Sequence, residues 1–74
     1  MRISNLINII DFGCTSLCIW ESFEDFQKDE DNWEYINGLV PFKSWLESHS
    51  KGNLEVEYIG ISVDMVDTLD VVVK

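Results

Sequence analysis

Hydrophobic side chains recur along this chain in two periods, and the switches between them mark out its elements. Ile3, Leu6, Ile7 and Ile10 are spaced i, i+3, i+4, i+7, which predicts an amphipathic helix over 3–10. Ser4 is placed to cap its start, and Gly13 to supply a left-handed stop. Thr15-Ser16-Leu17-Cys18-Ile19-Trp20 is rich in β-formers and apolar on both faces, so it reads as a strand inside a sheet rather than at its edge. Trp33-Glu34-Tyr35-Ile36 alternates as a strand, and Asn37-Gly38 ends it. Pro41 then opens a second helix at a position where proline is tolerated, with Phe42, Trp45 and Leu46 as its apolar stripe. Leu54–Ser62 predicts a long strand whose alternation changes phase around Ile59-Gly60-Ile61, as a bulge or bend at Gly60 would produce. Asp64–Asp67 makes a turn, and Thr68–Val73 closes the chain as a strand.

The predicted order is α-β-β-α-β-β. Sequential hairpins favour a four-stranded antiparallel sheet, with two short helices covering one face. The expectation is a small α+β fold in a single domain, 1–74, whose core holds Ile7, Leu17, Ile19, Trp45, Leu46, Val56 and Val72.

The stretch 21–34 breaks both periods. Glu21, Glu24, Asp25, Asp29, Glu30, Asp31 and Glu34 are interleaved with Phe23 and Phe26, and Lys28 is its only base. Two conformations fit. Either Ser22 caps a short acidic helix with Asp25 at its third position, or the strand before it continues to about Phe26 and turns through 28–32. The alternating strand that follows favours the hairpin.

Composition narrows the function. Seventy-four residues with a net charge of -9 and a hydrophobic fraction of 46% form one small domain that folds, not a disordered acidic tail. A chain this short buries only about 60% of the surface that it exposes when unfolded, which leaves little room for a deep substrate cleft. Five bases against fourteen acids leave no basic patch for phosphate contacts, so direct nucleic-acid binding is disfavoured. The start, MRISNLINII, has a short apolar run broken by Asn5 and Asn8 with no small-residue cleavage site after it. The longest apolar run is about four residues, far short of a membrane span. The expectation is a soluble, cytoplasmic protein.

Candidate chemistry is sparse. Cys14, Cys18 and His49 are the soft ligands available to zinc, and a carboxylate such as Asp11 or a water would have to complete a four-ligand shell. If residues 14–18 are an extended strand, the two sulfurs lie roughly 13 Å apart and share no metal; a tight turn at Gly13-Cys14 would be needed to bring them together. Buried structural cysteines and no cofactor are therefore expected, with zinc as the alternative. A Cys–His pair is formally available for nucleophilic catalysis, but nothing around either cysteine marks it as activated. There is no glycine-rich phosphate loop, no H-E-x-x-H and no G-x-S-x-G, so the protein is not expected to be an enzyme.

The acidic block is the strongest feature. Its plain reading is a solvated loop. Its functional reading is a display of carboxylates that imitates nucleic-acid phosphates, since B-DNA carries one charge per ~1.7 Å and a mimic needs density more than geometry. Glu21, Glu24, Asp25, Asp29, Glu30, Asp31 and Glu34 would supply the charge, and Phe26 and Trp33 the apolar anchors of a partner-binding face. Trp33 is the tryptophan expected to be exposed, and Trp20 and Trp45 belong to the core. Glu55, Glu57, Asp64, Asp67 and Asp70 extend the field on the C-terminal hairpin.

In its size, its charge, the acidic aromatic block ESFEDFQKDEDNWEY and its compact α+β layout, the whole chain resembles small acidic accessory proteins of bacteriophages and mobile elements, anti-CRISPR inhibitors among them. The resemblance implies an inhibitory binding protein that occupies the basic nucleic-acid channel of a host nuclease, such as a CRISPR effector, in the bacterial cytoplasm. The alternative is a non-catalytic structural or adaptor module, including a small homodimer, whose charge keeps it soluble.

Overall fold

A computed structural model describes residues 1–28, 33–49 and 52–74, with the backbone alone at position 49. In it a 3-10 helix, Ile3–Asn8, is followed by β1 (Ser16–Trp20), α1 (Phe23–Lys28), β2 (Trp33–Ile36), α2 (Leu39–His49), β3 (Val56–Ile61) and β4 (Thr68–Val73). The four strands form one sheet in the order β2-β1-β4-β3. This is the expected small α+β fold, with helices and strands in essentially the expected order.

The sheet is mixed rather than antiparallel throughout. β1 pairs antiparallel with β2, and β3 with β4, but β1 and β4 run parallel, with Leu17 opposite Leu69 and Ile19 opposite Val71. Burial gives the reason. Every residue of β1 is buried, and five of the six in β4, whereas β2 and β3 are largely exposed or half-buried. A meander of successive hairpins would put the two most apolar strands at the edges. Placing them side by side in the centre removes the most apolar surface from water.

The 3-10 helix and α2 cover one face, as expected. Ile3 and Leu6 meet Phe42 and Trp45 over Leu17, Ile19, Ile36, Val71 and Val73. Of the expected core, Leu17, Ile19, Trp45 and Val72 are buried, and Ile7, Leu46 and Val56 are half-buried beside it. With three residues per turn, Ile3 and Leu6 eclipse each other, which turns Ile7 and Ile10 toward the margin. Ser4 does not cap this helix. The Arg2 backbone N–H instead donates to Asn5 Oδ1 at 3.0 Å. Gly13 supplies no left-handed stop either: among the described residues those at positive φ are Gly38, at 109°, and Asp67, at 51°. Gly38 turns β2 into α2, and Pro41 lies in that helix's first turn, where a missing N–H costs nothing.

Residues 21–28 adopt the helical alternative, not the hairpin. β1 stops at Trp20, and Ser22 Oγ accepts the Asp25 backbone N–H at 3.1 Å, capping α1. This third helix lies on the other face of the sheet, so the protein has layers on both sides. Its Phe23 and Phe26 pack, with Met65, on Cys18, Trp20 and Val72. The expected irregularity in β3 falls between Val56 and Tyr58 rather than at Gly60, which keeps its register opposite Asp70. The shift sends Val56 to the α2 side and Tyr58 to the α1 side, two residues apart yet on opposite faces.

Candidate functional site

On the α1 side, the alternation of the strands lays out rows of side chains across the sheet. Trp33, Trp20, Val72 and Tyr58 form one row, and Tyr35, Cys18, Asp70 and Gly60 the next. The aromatic rings join into a cluster. Phe26 meets Trp20 edge-on at 5.4 Å between centroids and Tyr58 at 5.4 Å, Phe23 meets Tyr58 at 5.9 Å, and Trp20 and Trp33 stand 6.1 Å apart. Tyr58 lies along its own strand, over Gly60. A Cβ at position 60 would collide with the phenol, so the glycine is what lets that ring lie down.

Where the second row is not covered by α1, a cavity of about 530 Å3 opens. Trp20, Phe26, Trp33 and Tyr58 line it together with Met65, Asp64 and the 61–63 segment, and the buried Cys18 and Asp70 also contribute to its lining. Asp70 is 9% exposed and accepts the Trp20 indole N–H at 3.1 Å. Burial first, and then the Asp70 charge and its hydrogen bond with the thiol, push Cys18 up to about 12. Toward the open end of β1, the Tyr35 hydroxyl donates to Ser16 Oγ at 3.1 Å, and Ser16 Oγ donates to Asn37 Oδ1 at 3.0 Å.

The acidic block is partly assembled around this face. Glu21 and Glu24 are exposed and Asp25 is half-buried, at the start of α1, where carboxylates favour a helix N-terminus. Lys28 answers Glu24 one turn on at 2.7 Å, a solvent-exposed pair. Trp33 is 39% exposed, whereas Trp20 and Trp45 are buried, as expected. Phe26 is half-buried with its ring turned into the cluster. Glu34 does not join Trp33: it sits opposite Ile19, on the α2 face of the edge strand. Asp29, Glu30 and Asp31 lie outside the described residues.

Of the two cysteines expected to be buried, Cys18 is and Cys14 is not. Cys14 is exposed, Cys18 is buried on the α1 face, and α2, which ends at His49, covers the opposite face. The His49 side chain lies outside the described residues. Among those described, no group of three histidines, cysteines or acids is placed to hold a metal. Asp11, by hydrogen bond and charge, raises Cys14 above the ordinary thiol range, so neither thiol is a thiolate at neutral pH.

Asp70, expected in the exposed acidic field, is instead buried in the lining of the cavity; the signal that points to it is an acid inside an otherwise apolar strand, TLDVVV. Tyr58 and Met65 gave no comparable signal.

Among the described residues, no helix is long and apolar enough to cross a membrane. No protein-family model matches the chain, no curated protein matches it, and no solved structure matches it.

Proposed function

We propose that this protein is an inhibitory binding protein that imitates nucleic acid, occupying the basic nucleic-acid channel of a host nuclease such as a CRISPR effector in the bacterial cytoplasm. The observation that carries the reading is the join between charge and aromatic surface at α1. Glu21, Glu24 and Asp25 stand at the N-terminal end of a helix whose other side roofs an aromatic cluster edged by exposed Trp33. Carboxylates of this density steer a basic partner and set its association rate, while a partly exposed indole beside them supplies an anchor. The raised thiols support a binding role over nucleophilic catalysis, and the reading calls for no cofactor.

A second reading, a structural or adaptor module that includes a small homodimer, draws on Ile61, Val63 and Val66, which are 83%, 94% and 88% exposed at the β3–β4 end.

The test is binding to a panel of guide-loaded CRISPR effectors and host nucleases, at two salt concentrations and with competing duplex DNA. Mimicry requires binding that weakens steeply with salt, is displaced by DNA, and is abolished when Glu24, Asp25, Asp29 and Glu30 are all reversed to Lys. Undiminished binding by that variant removes the block from the reading. Failure to bind any member, together with concentration-dependent self-association in sedimentation, favours the adaptor instead.

A further inference from the structure

The α1-side cavity combines features that an acidic surface does not need. Its lining holds a carboxylate, Asp70, that is nine-tenths buried. Removing a charge from water is costly unless a counter-charge meets it. Yet Asp70 takes no part in the ion pairs of Glu55 with the N-terminus and Glu24 with Lys28. It accepts a hydrogen bond from the Trp20 indole, an uncharged donor. The same cavity is lined by Trp20, Trp33, Phe26 and Tyr58, whose ring faces are electron-rich, and by a second acid, Asp64. The volume, about 530 Å3, is in the range of small-ligand pockets.

We infer that this cavity is a binding site for an organic cation, a positively charged head on an apolar or planar body, held by the Asp70 carboxylate and the indole and phenol rings of the lining. Aromatic walls attract a cation through their quadrupoles, most strongly when it is desolvated, and a buried carboxylate adds the charge that fixes its depth. An anion is excluded by both elements, and a neutral body of the same shape gains only the apolar contact. Two sources carry this chemistry, a small quaternary ammonium compound and an arginine side chain presented by a protein. The inference does not depend on nucleic-acid mimicry, because the site takes its ligand alone.

The experiment titrates the native protein with choline, with its uncharged carbon isostere 3,3-dimethyl-1-butanol, and with N-acetylarginine methylamide. The indole N–H resonances of Trp20 and Trp33 are followed by NMR. A cation should shift both resonances saturably, and the isostere should bind about tenfold more weakly or worse. Response to choline alone identifies a small-molecule site, and response to the arginine derivative alone a side-chain pocket; either upholds the inference. Asp70→Asn keeps an acceptor for the indole and should weaken cation binding about tenfold while leaving isostere binding unchanged. Trp33→Ala, at the sheet edge, provides a second variant if Asp70→Asn does not fold. If the isostere binds as tightly as the cations, or neither cation moves the indole resonances, the inference is overturned.

Discussion

The Trp20 indole and the Asp70 carboxylate, fifty residues apart in the chain, are hydrogen-bonded at 3.1 Å across the parallel pair β1–β4. Both residues are buried, so each satisfies a polar group that the other's strand would otherwise strand in the core. Trp20→Phe removes the donor and keeps most of the ring. It should cost about 1–3 kcal/mol in urea unfolding, the range for losing a hydrogen bond to a charged buried acceptor. An unchanged midpoint and slope would show that the bond contributes nothing net.

Ile19 and Leu46 separate strand burial from helix burial. Ile19 is 4% exposed in the central strand, and Leu46 is half-buried on α2. Ile19→Ala should cost roughly 2–5 kcal/mol and Leu46→Ala distinctly less, because the half-buried site can refill with water. A domain of this size holds only about 5–10 kcal/mol, so the first variant should be visibly marginal at room temperature. Equal losses at the two sites would place Leu46 deeper in the core than its exposure indicates.

Gly60 and Tyr58 are coupled through space. A methyl group at position 60 would push the Tyr58 ring off the sheet and away from Phe23 and Phe26. Gly60→Ala should therefore cost about 1–2 kcal/mol in the native background, the scale of lost aromatic pairing. In a Tyr58→Ala background the same change should be neutral or slightly stabilising, since only the reduced entropy of the unfolded chain remains. A double-mutant cycle measures this, and strict additivity would refute the coupling.

Cys18 makes stability depend on alkaline pH. Its thiol is raised to about 12 in the fold, so between the ordinary thiol range and that value the native state holds a proton that the unfolded chain has released. The contribution is complete below the unfolded thiol pKa and is lost as pH rises toward 12. Melting curves across this range should fall less steeply for Cys18→Val than for the native protein. Alkylation at mildly alkaline pH should label exposed Cys14 and spare Cys18 until the protein unfolds.

The local pattern of the chain determined most of its elements. The run Leu17–Trp20 is apolar at every position, and that alone requires a strand buried on both faces. Gly38 and Pro41 bracket the start of α2, and the β-rich run Thr68–Val73 is a strand over the expected bounds. These features depend on residues within a few positions of each other, and the physics that sets them is equally local.

Only the tertiary structure decided which strands meet. Side-chain alternation specifies which faces of a strand are apolar but carries no label for its partner, so four strands joined in sequence read as hairpins. The observed order follows from minimising exposed apolar area over the whole sheet, a sum that no window of the sequence contains. The conformation of 21–28 was settled in the same way. Ser22 and Asp25 offered a helix cap and the flanking strands offered a hairpin; the helix forms where Phe23 and Phe26 can reach Trp20 and Tyr58, rings contributed by other parts of the chain. A six-residue helix is marginal by itself, so its packing had to decide it.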